Sequence, residues 1–303
     1  MAAVTAGAST GTGRVSESRR IAGSGRRSPL GKFFRQLRTG LPLILLAVWT
    51  FLPFLVTLSV SLKTRVETFA NLSLIPEDPS LAAYEEVLQD PNFTSAFLNS
   101  VIVGIGTSIL TIIVGLPAAY AFARFNFRGR HLLLLFTLLP RLVPSIGILV
   151  PIYRLAVSTG MLDRRITLII VYTGTLVPLA VWLMVGFFQG IPREIEEAAA
   201  VDGAGLWARI RYIVMPLAAP ALITIAVLAF REAWNEFTLV LVLTTSPESR
   251  TLPFALFKLG QSEGISNFPG EAAFAILTVL PFILVYSRIE RYVVAGLTSE
   301  GGK

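Results

Sequence analysis

Long continuous apolar runs, separated by shorter polar stretches, dominate the chain. Six of them, at 41–62, 97–123, 131–153, 166–188, 217–243 and 272–294, reach the length of about 20 mostly apolar residues that a spanning helix needs. Within each run the apolar residues follow one another instead of alternating. In lipid only helices and closed barrels satisfy their own backbone groups, so the pattern predicts an all-α membrane protein with six transmembrane helices. The third run is the most interrupted, with Pro140, Arg141 and Pro144 inside it, and the fifth carries polar residues at its middle. Two connecting segments are long. The one at 63–96 is acidic, with Glu67, Glu77, Asp78, Glu85, Glu86 and Asp90, and its pattern predicts a short helix near 81–88. The other lies at 189–215.

Composition excludes the soluble classes. Of 303 residues, 53% are hydrophobic and only 15% charged, and the mean hydropathy is +0.68. A soluble domain carries roughly a quarter charged residues. With no cysteine and one histidine, disulfides, thiolate metal sites, iron–sulfur clusters, cysteine nucleophiles and multi-histidine metal sites are all excluded. No metal or cofactor is expected. His131 opens the third run and reads as an edge residue.

The net charge of +7 is unevenly spread. Residues 1–40 hold eight arginines and lysines against one acid, Glu17, with Gly, Ser and Ala between them. Such a segment buries too little apolar area to order itself and reads as a basic, disordered arm. Six spans put both termini on one side of the membrane. The arm, the loops after spans two and four and the C-terminal end carry seventeen Lys and Arg, against seven in the opposite loops. An excess of Lys and Arg marks the cytoplasmic side, so both termini are expected there, in a plasma (inner) membrane. The layout is a 1–40 arm, a 41–295 membrane domain and a 296–303 cytoplasmic tail.

The cytoplasmic segment at 189–215 has a structure of its own. Pro192 suits a first helical turn, and Glu194, Glu196 and Glu197 there suit the helix dipole. Asp202-Gly203 then stops the helix, because glycine takes the left-handed conformation of a tight turn. Leu206, Ile210, Ile213 and Val214 recur at helical spacing, with Arg209 and Arg211 off that stripe. The reading is two short helices with a glycine elbow, too short to stand alone in water. They dock either on a protein partner or on lipid headgroups.

The same residues carry a resemblance. Glu197-Ala198-Ala199, then Gly203, Ile213 and Met215-Pro216, reproduce the spacing of the signature loop in permease subunits of ABC-type importers. Met215 stands where that family usually has Leu, a swap that keeps volume. The chain from about residue 40 onward resembles the carbohydrate-importer branch, of the maltose-permease second-subunit type. Ser61-Leu-Lys-Thr64, Phe97-Leu-Asn-Ser100, Ala118-Ala-Tyr-Ala-Phe-Ala-Arg124, Trp234-Asn-Glu236 and Tyr292-Val-Val-Ala-Gly-Leu-Thr298 support it, with Gly301, Gly302 and Lys303. The resemblance implies a coupling helix seated on a cytoplasmic ATPase, two ATPase subunits, a second homologous permease subunit and an external solute-binding protein, all in a lipid membrane and with no nucleic-acid partner. It places Glu197, Ala198, Ala199, Asp202, Gly203, Ile213 and Pro216 in the coupling loop. The chain has no Gly-x4-Gly-Lys-Ser/Thr phosphate loop, so no catalytic residue is assigned, and hydrolysis is expected on a separate chain.

Polar side chains at membrane depth are costly and are functional candidates by default. Arg141 lies between two prolines, and Arg231, Glu232, Asn235 and Glu236 cluster in span five with Trp234. These are candidates for the solute path. The competing readings are snorkelling for Arg141 and a structural polar network for the span-five group. A non-sugar solute such as a glycerol phosphate or a polyamine stays open. So does an ion-coupled secondary transporter, although spans one to four contain no acid. An integral membrane enzyme is a weaker alternative, since no catalytic pair stands out.

Overall fold

The computed structural model describes residues 29–261 and 267–298. Most of the expected basic arm and the end of the tail, including Gly301, Gly302 and Lys303, lie outside those residues. The described residues up to Leu52 and those from Pro53 onward form separate compact units.

Every regular element among the described residues is helical. Helix α1 (Pro29–Ser61) begins inside the segment expected to lack structure. Pro29 suits a first helical position, and Leu30, Phe33, Phe34 and Leu37 already recur at helical spacing. The Gly40–Ser61 part is long and apolar enough to cross a membrane. Helices α2 (Arg65–Ala70) and α3 (Ala82–Gln89) follow, the latter at the place the acidic connector predicts. Lys63 is buried, and its ammonium donates to the carbonyls of Asn71 (3.1 Å) and Ser73 (2.5 Å), pinning the connector.

Helices α4 (Pro91–Arg124) and α7 (Arg165–Gly190) are the two long spans that pack together. Asp90 caps α4 by accepting the Asn92 N–H at 2.8 Å. Small residues let the helices approach closely, as is usual in membranes. A Cβ on Gly115 would lie 2.8 Å from Cε of Met184, and one on Gly104 would lie 2.7 Å from the Phe230 ring.

Between these spans, α5 (Arg130–Leu138), a tight turn at Leu139–Leu142 and α6 (Ser145–Ser158) form a bent pair. Pro140 and Pro144 explain the break, because proline lacks the N–H that a continuing helix needs. After α7 come α8 (Arg193–Val201), α9 (Leu206–Arg209), a π-helical turn at Ile210–Val214, and α10 (Met215–Leu217). Then come α11 (Ala219–Asn235), α12 (Thr238–Leu243), α13 (Leu252–Gly260) and α14 (Phe268–Thr298).

The fifth apolar run is therefore not one helix. It divides at Glu236, whose backbone is extended. The Glu236 carboxylate accepts the N–H groups of Leu239 (3.0 Å) and Val240 (3.3 Å) and the Tyr172 hydroxyl (2.9 Å), so it caps a new helix. Among the described residues, three helices can span a membrane alone by length and composition, or five if each bent pair counts as one span. The second bent pair, Leu206–Leu217 with Ala219–Asn235, turns through 77°.

Candidate functional site

The segment between α7 and α11 is a helix, a glycine turn and a second helix. Ile191 and Pro192 are extended and lead into α8, whose first turn holds Glu194 and Glu196. At its end the Gly203 N–H donates to the Ala200 carbonyl (3.1 Å) and the Ala204 N–H to the Ala199 carbonyl (2.9 Å). This pair of bonds closes a helix over a left-handed residue, and Gly203 has φ +88°. In the second helix the Met215 N–H reaches back to the Ile210 carbonyl. Pro216 accounts for that wide turn, since it has no N–H and its ring crowds the carbonyl four residues earlier.

Burial divides the segment into a docked side and an open side. Ile210 and Val214 are buried in the cluster formed by Leu116, Ala119, Tyr120, Val181 and Phe188, while Ile213 is half-buried. Facing outward are Glu197, Ala198, Asp202 and Gly203, with Ala199 half-buried and Pro216 exposed. Large apolar side chains share the open side: Val201 is 88% exposed, Trp207 71% and Tyr212 74%. Helix α8 would not hold its place on apolar contacts, because Glu196 is its only buried residue.

Glu196 is the fixed point. Its Oε1 lies 2.7 Å from both Nε and Nη2 of Arg124, and its Oε2 accepts the Tyr120 hydroxyl at 2.6 Å. The two charged side chains are only 8% and 6% exposed. Arg124 also donates to the Ile191 carbonyl (3.1 Å), and Arg193 donates back to the Ala123 carbonyl (3.3 Å). The start of α8 is thus bonded to the last turn of α4. Buried charges hold only when paired and hydrogen-bonded, and here both oxygens of the carboxylate have partners.

The polar candidates at membrane depth fall into separate places. Arg231 and Glu232 form a half-exposed ion pair at 2.9 Å, and Asn235 donates to the Arg231 carbonyl at 2.8 Å. Glu236 is drawn away as the cap of α12. Trp234 is buried, stacked on Phe230 and edge-on to Phe97. Arg141 sits on a different element, exposed in the turn between α5 and α6.

Sequence reasoning did not bring Tyr120 and Arg124 together with Glu196, which it read only as a partner of the helix dipole. A signal was present. Tyr120 and Arg124 are i, i+4 neighbours at the end of a span, so they share a face, and Glu194, Glu196 and Glu197 are the first cluster of acids that follows them in the chain.

Apolar helices of spanning length, with a polar helix–turn–helix segment between two of them, define a multi-pass membrane protein. Residues 111–299 match the family described as binding-protein-dependent transport system inner membrane component. The chain is 36% identical to the trehalose transport system permease protein SugB of Mycobacterium tuberculosis, over 84% of this chain and 93% of that one. It is 30% identical to the galactooligosaccharides transport system permease protein GanQ of Bacillus subtilis, over 90% and 97%. Its fold is shared, at a TM-score of 0.77 and 24% identity, with the crystal structure of a bacterial ABC transporter involved in the import of alginate, covering 88% of this chain and 98% of that one. The chain belongs to the family of binding-protein-dependent transport system inner membrane components, a family of permease subunits.

Proposed function

We propose that this chain is one of two permease subunits in an ATP-driven importer for a sugar or sugar-like solute, with both termini in the cytoplasm. An external solute-binding protein delivers the solute, and two separate ATPase subunits supply the energy. The relatives named for trehalose and galactooligosaccharide transport support a carbohydrate solute. A second permease subunit completes the path, to which Arg141, Arg231, Glu232, Asn235, Glu236 and Trp234 are the candidate contributors from this chain.

The observation that carries the coupling role is the open side of α8. Ala198, Ala199 and Gly203 present almost no side chain, so a partner surface can approach the backbone. Val201 and Trp207 flank them as exposed apolar contacts. A helix that short gains its stability from what it packs on, and here one side is anchored and the other is free for the ATPase. Glu197, Asp202, Ile213 and Pro216 complete the loop.

The test is Gly203→Val. A Cβ there would meet nothing within 4 Å, so the damage is confined to the turn, where a β-branched residue at positive φ is strained. The expected result is loss of labelled trehalose, maltose and galactooligosaccharide uptake with membrane insertion unchanged. Wild-type uptake at normal expression would sink the coupling role. Wild-type cells that take up a glycerol phosphate or a polyamine, and none of these sugars, would overturn the carbohydrate assignment.

A further inference from the structure

We propose that Tyr120, Arg124 and Glu196 form the joint through which movement of the α8 loop passes into α4 and so into the membrane bundle. This rests on the reading of α8 as the ATPase contact and adds the residues that connect that contact to the spans. They are positioning residues, since none of them lies on the open side of α8.

Four observations converge. Glu196 is the only buried residue of α8, so this carboxylate is the buried side-chain link between that helix and α4. The carboxylate is gripped on both oxygens from α4, by Arg124 at 2.7 Å and Tyr120 at 2.6 Å. Arg124 also holds the Ile191 carbonyl just before α8, while Arg193 on α8 holds the Ala123 carbonyl on α4. The junction is thereby bonded in both directions and resists rotation as well as separation. Finally, α4 packs on both α7 and α11, so a displacement of its last turn is shared by the core of the bundle. Coupling travels through contiguous networks of this kind when the element they move has two arrangements. Charge-assisted hydrogen bonds are short and directional, which suits a joint better than an apolar contact that slides.

An ion pair of this kind could serve only to hold the loop in place. The two roles separate in the assembled transporter, and the chain has no native cysteine. One cysteine at Ala199 reports docking, by cross-linking to the ATPase. A second, at the exposed Asn92 near the far end of α4, reports movement, by its labelling rate with a membrane-impermeant maleimide with and without MgATP. The variants are Glu196→Gln, Arg124→Met and the milder Tyr120→Phe, which removes one hydrogen bond only.

The unsubstituted chain is expected to cross-link and to change its Asn92 labelling rate with nucleotide. Glu196→Gln and Arg124→Met are expected to keep the cross-link, since the Arg193 bond to the Ala123 carbonyl and the buried Ile210 and Val214 still hold the loop, and to lose most of the nucleotide response, a drop of about tenfold if roughly 1.4 kcal/mol of coupling is lost. Tyr120→Phe is expected to lose part of it. A response kept within about twofold in all three variants would overturn the joint. So would loss of cross-link and response together, which is the result for a merely structural pair, and so would an unsubstituted chain that cross-links without any response at Asn92. Failure of the unsubstituted chain to cross-link at all would refute the ATPase contact itself, a separate outcome.

Discussion

Glu196 decides more than its neighbours because it is a carboxylate taken out of water and then fully partnered. Removing one member of such a pair leaves the other buried and alone, at a cost of about 3–5 kcal/mol, whereas replacing both with apolar residues of similar size is often neutral. We therefore predict that Arg124→Met alone lowers thermal stability of the purified chain sharply, and that Arg124→Met with Glu196→Met recovers most of it. Additive losses in the double variant would show that the two side chains do not act as a pair. Stability and coupling should part company in that double variant, because an apolar pair packs without gripping. The neighbouring Glu197, one position on, faces away from the core. Sequence spacing located Glu197, Gly203 and the elbow. It did not distinguish Glu196 as buried, because burial depends on the reach of α4, and that depends on where a distant helix ends.

At the scale of elements, the long uninterrupted runs and the interruption of the third were legible, and the break in the fifth was not. The second and fourth runs became α4 and α7 because nothing in them competes with the helix strongly enough; Pro117 and Pro178 lie inside and are absorbed. The third run broke at the prolines that marked it. The fifth broke at Glu236, a residue with good helix propensity, because its carboxylate gains more by capping α12 and meeting Tyr172. That preference is a tertiary effect, invisible to periodicity.

A second junction was equally hidden. Asp163, between α6 and α7, takes φ 60°. Its Oδ1 accepts the N–H groups of Thr245 (2.9 Å) and Ser246 (3.1 Å), and its carbonyl accepts the Ser249 hydroxyl (2.7 Å). Burial works against its charged form, but the N–H bonds outweigh that and hold the carboxyl down at about 2. An unfolded aspartate titrates near about 4, so protonation is resisted in the fold. The clamp contributes fully above about pH 4 and loses that contribution as pH falls towards about 2. We predict a melting temperature that falls over this acid window, and a flatter profile for Asp163→Asn, which keeps an oxygen acceptor but does not titrate. An unchanged acid slope in Asp163→Asn would assign the loss to other carboxylates.

For the molecule as a whole, two ends of one helix carry different tasks. The first turn of α4 is capped by Asp90, and its last turn holds the α8 loop, so α4 runs from one side of the bundle to the other. The membrane class was evident from composition and run length alone, and the loop from its spacing. The division of the chain into two compact units and the helical start at Pro29 were not, since the basic residues there masked an amphipathic pattern. The most direct test of the central claim is a disulfide or short-spacer cross-link from Ala199→Cys to single cysteines placed around the cleft of the co-expressed ATPase subunit. We predict a specific cross-link whose yield changes with nucleotide. No cross-link from Ala198, Ala199 or Ala200, in a well-inserted chain with its ATPase present, would mean that the loop rests on lipid and would contradict the coupling role.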